Sequence, residues 1–170
     1  MKYLLLIALS VSLFACNKDG DDTPDPVDPV KPEDKEKATA LSEFLKNDKL
    51  RLAKYYSETP IDYIDTDDVV MEETDLWNYV SLWLKDDAYS FDPSGVVTIE
   101  QNANRIATDT SAVLTRNYAV FADEEGVGFD FIGHEYQQLS YRLISFSDTG
   151  LIVSATWNGK KVISEYKPVP

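Results

Sequence analysis

The stretch Leu151-Ile152-Val153-Ser154-Ala155-Thr156-Trp157-Asn158-Gly159-Lys160-Lys161-Val162-Ile163-Ser164-Glu165-Tyr166-Lys167 decides the fold. Leu151, Val153, Ala155 and Trp157 recur at every second position, and Val162 and Tyr166 share a face after the break. A period of two is the signature of a strand, whose side chains alternate between faces. Asn158-Gly159 between two such runs specifies a two-residue type I′ turn, because both central positions need positive φ. Residues 151–157 and 160–167 are therefore expected to form a hairpin.

The same pattern extends upstream. Tyr89 and Phe91 alternate with Ala88 and Ser90, Asp92-Pro93-Ser94-Gly95 is a turn, and Val97 and Ile99 follow. A strand is predicted over 112–122, with Tyr118 and Val120 alternating with Ala119 and Phe121. Asp123-Glu124-Glu125-Gly126 turns the chain into a strand carrying Val127, Phe129 and Phe131 on one face. Gly133-His134-Glu135 is the next turn, and Leu139, Tyr141 and Leu143 continue to Asp148-Thr149-Gly150. With a first strand at 49–57, eight strands are predicted. Short connections make neighbours antiparallel. An open meander exposes two edges and closure removes them, so an antiparallel up-and-down eight-stranded barrel is expected, with an open sandwich as the alternative.

Two helices are predicted around these strands. Residues 34–46 place Ala38, Leu41, Phe44 and Leu45 at helical spacing, giving an N-terminal helix. Residues 73–84 place Leu76, Trp77, Val80, Trp83 and Leu84 on one face, with Thr74 or Asp75 as cap, giving a second helix after the first strand.

The N-terminus has a different character. After Met1 and Lys2 the chain is apolar from Tyr3 to Phe14, interrupted only by Ser10 and Ser12. Such a run spans about 18 Å as a helix, short of the ~30 Å of a bilayer core, and suits a signal-peptide apolar region. It ends Leu13-Phe14-Ala15-Cys16, and Cys16 is the single cysteine of the chain. This ending resembles the bacterial lipobox, which implies lipid on the Cys16 sulfur, cleavage before it and a stable membrane anchor. Asn17-Lys18-Asp19-Gly20-Asp21-Asp22 resembles the acidic export signal of Bacteroidetes surface lipoproteins, which implies an exported protein on the outer face of the outer membrane. Residues 17–37 carry Pro24, Pro26, Pro29 and Pro32, many Asp and almost nothing apolar. They are read as a disordered acidic spacer. The expected organisation is a signal peptide over 1–15, lipidated Cys16 and tether over 16–37, and one β-domain over 38–168.

The segment Leu84-Lys85-Asp86-Asp87-Ala88-Tyr89-Ser90-Phe91-Asp92-Pro93-Ser94-Gly95-Val96-Val97-Thr98 resembles the kDDxYxFxxxGxVT stretch of lipocalin-like domains in Bacteroidetes lipoproteins. Tyr141, Ser145, Ser147 and Leu151, and Ile144 more loosely, match a later Tyr–Ser–Ser–Leu pattern of that family. The resemblance covers about residues 48–168 and implies a lipocalin-like barrel. It departs from the family at the first strand, where Lys49–Tyr56 has no Trp in place of the usual Gly-x-Trp.

Charge and residue types restrict function. The formal charge of −14 opposes binding to nucleic acid and to anionic lipid alike, so membrane contact is expected through lipid on Cys16 alone. A lone His134, read as a turn residue, and the absence of a G-x-S-x-G elbow give no basis for nucleophilic catalysis, and no enzyme activity is expected. Asp62, Asp65, Asp67, Asp68, Glu72, Glu73 and Asp75 cluster without the spacing of a calcium loop and are read as a solvated acidic loop, with no metal or cofactor. What remains is the barrel interior. Its predicted lining is Tyr89, Phe91, Tyr118, Phe129, Phe131, Tyr141 and Trp157, with Trp77 and Trp83 as a helical cap. These aromatics either fill the barrel or line a pocket for a small apolar or glycan ligand. The two functional expectations are a ligand-binding module and a filled scaffold serving an envelope protein partner.

Overall fold

The computed structural model describes residues 30–64, 70–105, 111–134, 138–157 and 159–169. Cys16, the signal segment, most of the spacer, Asp65, Asp67 and Asp68, and Asn158 lie outside these residues.

A helix, α1 (Pro32–Asn47), opens the described chain. Pro32 sits at its first turn, where no N–H is required, and Glu33 and Asp34 favour the positive end of its dipole. These features start the helix upstream of residue 38, inside the segment assigned from composition to the tether. Leu41 and Leu45 are fully buried, as the helical spacing predicted.

The strands follow in order: β1 (Leu50–Ile64), β2 (Val70–Asp75), β3 (Ala88–Asp92), β4 (Val96–Glu100), β5 (Val113–Asp123), β6 (Gly126–Ile132), β7 (Gln138–Ser147), β8 (Gly150–Trp157) and β9 (Lys160–Pro168). All pairings are antiparallel and belong to one sheet, ordered β2-β1-β3-β4-β5-β6-β7-β8-β9, with β1 also paired to β9. The sheet therefore closes in a ring. The β1–β9 seam runs from Leu50↔Pro168 to Ser57↔Val162, whereas β1 meets β3 through one pair, Leu50↔Tyr89. All eight predicted strands are present, and the 151–167 hairpin has the expected register from Leu151↔Tyr166 to Trp157↔Lys160. Gly159 takes φ +73°, as its turn requires.

The predicted helix over 73–84 is not formed. Its start belongs to β2, which pairs with the far half of β1 from Ile61↔Glu73 to Ile64↔Val70. The register shifts between Tyr56 and Ile61, so Pro60, which has no N–H to donate, falls where the ladder is interrupted. After β2 come one 3-10 turn (Trp77–Tyr79), whose Trp77 N–H donates to Asp75 Oδ1 at 3.0 Å, and a five-residue helix, α2 (Leu82–Asp86). Leu76 and Val80 are nonetheless buried, so the apolar spacing marked inward residues without marking one helix.

The interior has two levels. Leu41 and Leu45 of α1 join Leu50, Phe91, Val97, Ile99, Leu114, Phe129, Leu151 and Val153 in a close-packed core. Phe44 of α1 packs on Phe146, ring centroids 5.3 Å apart. α1 thus closes one end of the ring. No helix among the described residues is long and apolar enough to cross a membrane.

Candidate functional site: an aromatic chamber in the ring

The other end of the ring is not filled. A cavity of about 1260 Å³ is bounded by residues of β1, β3, β5, β6, β7, β8 and β9 and by Tyr79, Val80, Ser81, Trp83 and Leu84. Strand alternation divides this space. Leu139 and Tyr141 share the inward face of β7, and Ser140 and Arg142 the outward face, yet all four border it. The volume therefore combines an inner chamber with an outer groove over the wall, and only the inner share is available to an enclosed ligand.

Gly128 explains the outer groove. Val127 and Phe129 beside it face inward and are buried, so Gly128 faces outward. There the Phe121 ring lies against it: a Cβ on Gly128 would fall 2.7 Å from Phe121 Cζ and would collide with the Tyr141 carbonyl. Arg142 stacks over the same ring at 5.1 Å and pairs with Asp123 at 2.7 Å and Glu125 at 2.8 Å. The hydrogen bond from Arg142 holds the exposed Asp123 carboxyl below its usual range.

The inner chamber is built on aromatics. Phe129, Phe131 and Tyr141 are stacked nearly parallel, with centroids 5.4–6.0 Å apart. Tyr89 meets Phe131 and Tyr166 edge to face at 5.8 and 6.0 Å. Burial pushes the Tyr89 and Tyr166 hydroxyls well above the usual tyrosine range, and those of Tyr55 and Tyr141 in the same direction. Tyr141 and Tyr166 also act on one another, adding to the rise at Tyr166 and opposing it at Tyr141. Tyr141 keeps accessible surface despite its desolvation, because that surface opens into the chamber.

One wall of the chamber is polar and buried. His134 Nε2 lies 2.6 Å from Asp87 Oδ2, with the two side chains 4% and 0% exposed. Burial first, and then the nearby Asp87 carboxylate, raise the pKa of Tyr89 beside this pair. Trp83 covers the imidazole at 4.4 Å between centroids. Asp86, the other half of the Asp-Asp pair, accepts from the Asn104 backbone and side chain, both at 2.9 Å. The two acids thus fasten separate loops to the start of β3. His134 is therefore no simple turn residue: it stands at a turn but its ring is internal.

The residues predicted to line the interior divide between the two levels. Tyr89, Phe131, Tyr141 and Trp157 border the chamber, with Trp157 39% exposed at its rim. Phe91 and Phe129 belong to the packed core beneath. Tyr118 is on the α1 side, edge to face with Phe91 at 5.0 Å, and its hydroxyl donates to the Asp92 carbonyl at 2.9 Å. Of the predicted cap, Trp83 borders the chamber. Trp77 lies elsewhere, under Lys85 at 4.9 Å and beside a separate groove of about 470 Å³ with Tyr56 and Glu165. Tyr55, Ser164, Tyr166 and His134 also line the chamber and were not singled out as site residues. For Ser164 and Tyr166 the period-two pattern of β9 was a usable signal; for His134 no local signal exists. Among the described residues no group of three or more His, Cys, Asp or Glu could hold a metal ion.

No protein-family model, curated protein or solved structure matches this chain.

Proposed function

We propose that the protein is a surface lipoprotein whose ring of strands is a lipocalin-like barrel that binds a small ligand. β1 and β3–β9 make an eight-membered circuit with β2 outside it. Eight strands enclose room for one small ligand. The single observation that carries the reading is the unfilled upper chamber. A drug-sized ligand needs roughly 300 Å³, against about 1260 Å³ for the chamber and the outer groove together. The anchor follows from the sequence: an apolar leader ending at Cys16, then an acidic spacer.

The alternative is a scaffold for a protein partner, which needs an exposed apolar patch of several hundred Å². Leu82, Val113, Ile144 and Trp157 are the large exposed apolar residues among those described, on α2, β5, β7 and β8.

Two experiments test the reading. Labelled fatty acid supplied to the producing cells should enter the wild-type protein and not Cys16→Ser, and protease added to intact cells should remove the domain. An unlabelled wild type would end the lipoprotein assignment, and full protection from protease would place it on the inner face. Native mass spectrometry of the domain purified from those cells should show a bound small molecule. A bare protein that also binds no apolar probe would leave the scaffold reading in its place.

A further inference from the structure

We propose that the groove beside Trp77, on the outer face of the ring, binds a small organic cation, whose ammonium group sits against the Trp77 and Tyr56 rings and the Asp75 carboxylate. This site is separate from the chamber and goes beyond the reading above.

Strand register builds the groove. Tyr55 and its ladder partner Ser164 both border the chamber, so their neighbours Lys54, Tyr56 and Glu165 face outward. Lys54 stands opposite Glu165, and Tyr56 opposite Asp75 of β2, which therefore shares the outer face. The β1 ladder shifts register on both sides of this stretch, between Leu52 and Lys54 and between Tyr56 and Ile61. Ala53, at the first shift, brings only a methyl group to the groove. The space left is about 470 Å³. Small-molecule sites run from roughly 300 to 1,000 Å³.

The charges bordering the groove are unequal. Glu165 is 17% exposed and is neutralised by Lys54 at 3.0 Å. Asp75 is exposed, and no cation among the described residues pairs with it. One of its oxygens accepts the Trp77 N–H at 3.0 Å. A carboxylate has about four acceptor sites, so Asp75 stays open to a ligand while that bond holds it beside Trp77. Trp77 and Tyr56 are half-buried. An aromatic face attracts a cation within ~6 Å through its quadrupole. Trp77 already holds one ammonium, since Lys85 Nζ lies 4.9 Å from its centroid, and Lys85 does not border the groove. An anion would meet Asp75 and the −14 of the whole chain, and a neutral molecule would gain nothing from either. An ammonium carried on carbon gains from the rings, the unpaired carboxylate and the overall charge together.

The probe is choline, with neohexyl alcohol, in which a carbon replaces the nitrogen, as its neutral isostere and glucose as a polyol. Each is titrated into the purified protein and followed by NMR line broadening of the small molecule. Choline should bind saturably, about fivefold or more tightly than the alcohol, and glucose should not compete with it. Added salt should weaken choline and not the alcohol. Asp75→Asn keeps an oxygen for the Trp77 N–H and removes the charge, so it should weaken choline about threefold and leave the alcohol unchanged. Trp77→Leu should weaken choline about threefold. Neither residue borders the chamber, so both effects locate the cation in the groove, and a melting curve of each variant checks its fold. Equal binding of choline and the alcohol, full choline affinity in folded Asp75→Asn, or no saturable binding of choline would overturn the assignment of the groove and leave the chamber reading untouched.

Discussion

Replacing His134 by Phe tests how much the buried pair contributes. The substitution keeps a ring against Trp83, 4.4 Å away, and removes the partner 2.6 Å from Asp87. Asp87 has no exposed surface, so water cannot take over. Breaking a buried pair from one side costs about 3–5 kcal/mol. A domain of this size has about 5–15 kcal/mol in total. At about 0.27 kcal/mol per degree for roughly 130 residues, the melting temperature should fall by roughly 10–20 °C. Removing both partners, in Asp87→Leu with His134→Phe, should recover a good part of the loss, since buried pairs exchanged for apolar residues are often neutral. Urea unfolding followed by tryptophan fluorescence measures all four corners of the cycle. If His134→Phe costs less than about 1 kcal/mol, the pair behaves like a surface contact and the reasoning from burial is refuted. If the double variant is the sum of the singles, the cost is packing and not charge.

Three further outcomes are expected. Tyr89, Tyr141 and Tyr166 have raised pKa values in the fold, so their contribution to stability should be constant below pH about 10, where unfolded tyrosine is neutral, and should fall as pH rises above it. Absorbance at 295 nm should then show some of the ten tyrosines ionising near pH 10 and the buried set only with unfolding; a single step with the fold intact would contradict this. Gly128→Ala should cost about 1–3 kcal/mol by forcing Phe121 and the Tyr141 carbonyl apart, and an unchanged melting curve would remove that explanation for the glycine. Phe129→Ala, 1% exposed and packed on the rings of Phe91, Phe131 and Tyr141, should cost about 3–5 kcal/mol, read as a lower urea midpoint; a smaller loss than His134→Phe would mean the pair, not these rings, anchors the interior.

The strands were legible because their limits are local. Gly95, Gly126, Gly150 and Gly159 all take positive φ, and each sits in a turn that alternating residues had bracketed. β2 was hidden because what makes it a strand is a partner across the chain, the far half of β1, while Leu76, Val80 and Trp83 repeat at helical distances. The same spacing serves two short turns of helix as well as one long one. His134 was hidden for a related reason: its partner lies 47 positions earlier. The chamber was half legible. Large aromatics favoured a filled interior, yet Tyr89, Phe131 and Tyr141 border open space while packing on one another.

The β1–β9 seam also sets an order of events. Lys54 and Glu165, which pair across it, are 111 positions apart, so the ring cannot close until its last strand has been delivered. Until then β1 and β8 each offer an open edge to any other strand nearby, and contacts of such separation form slowly. A charge of −14 keeps incomplete copies apart during that interval. The acidity that says little about the finished fold thus protects the chain while it is being made.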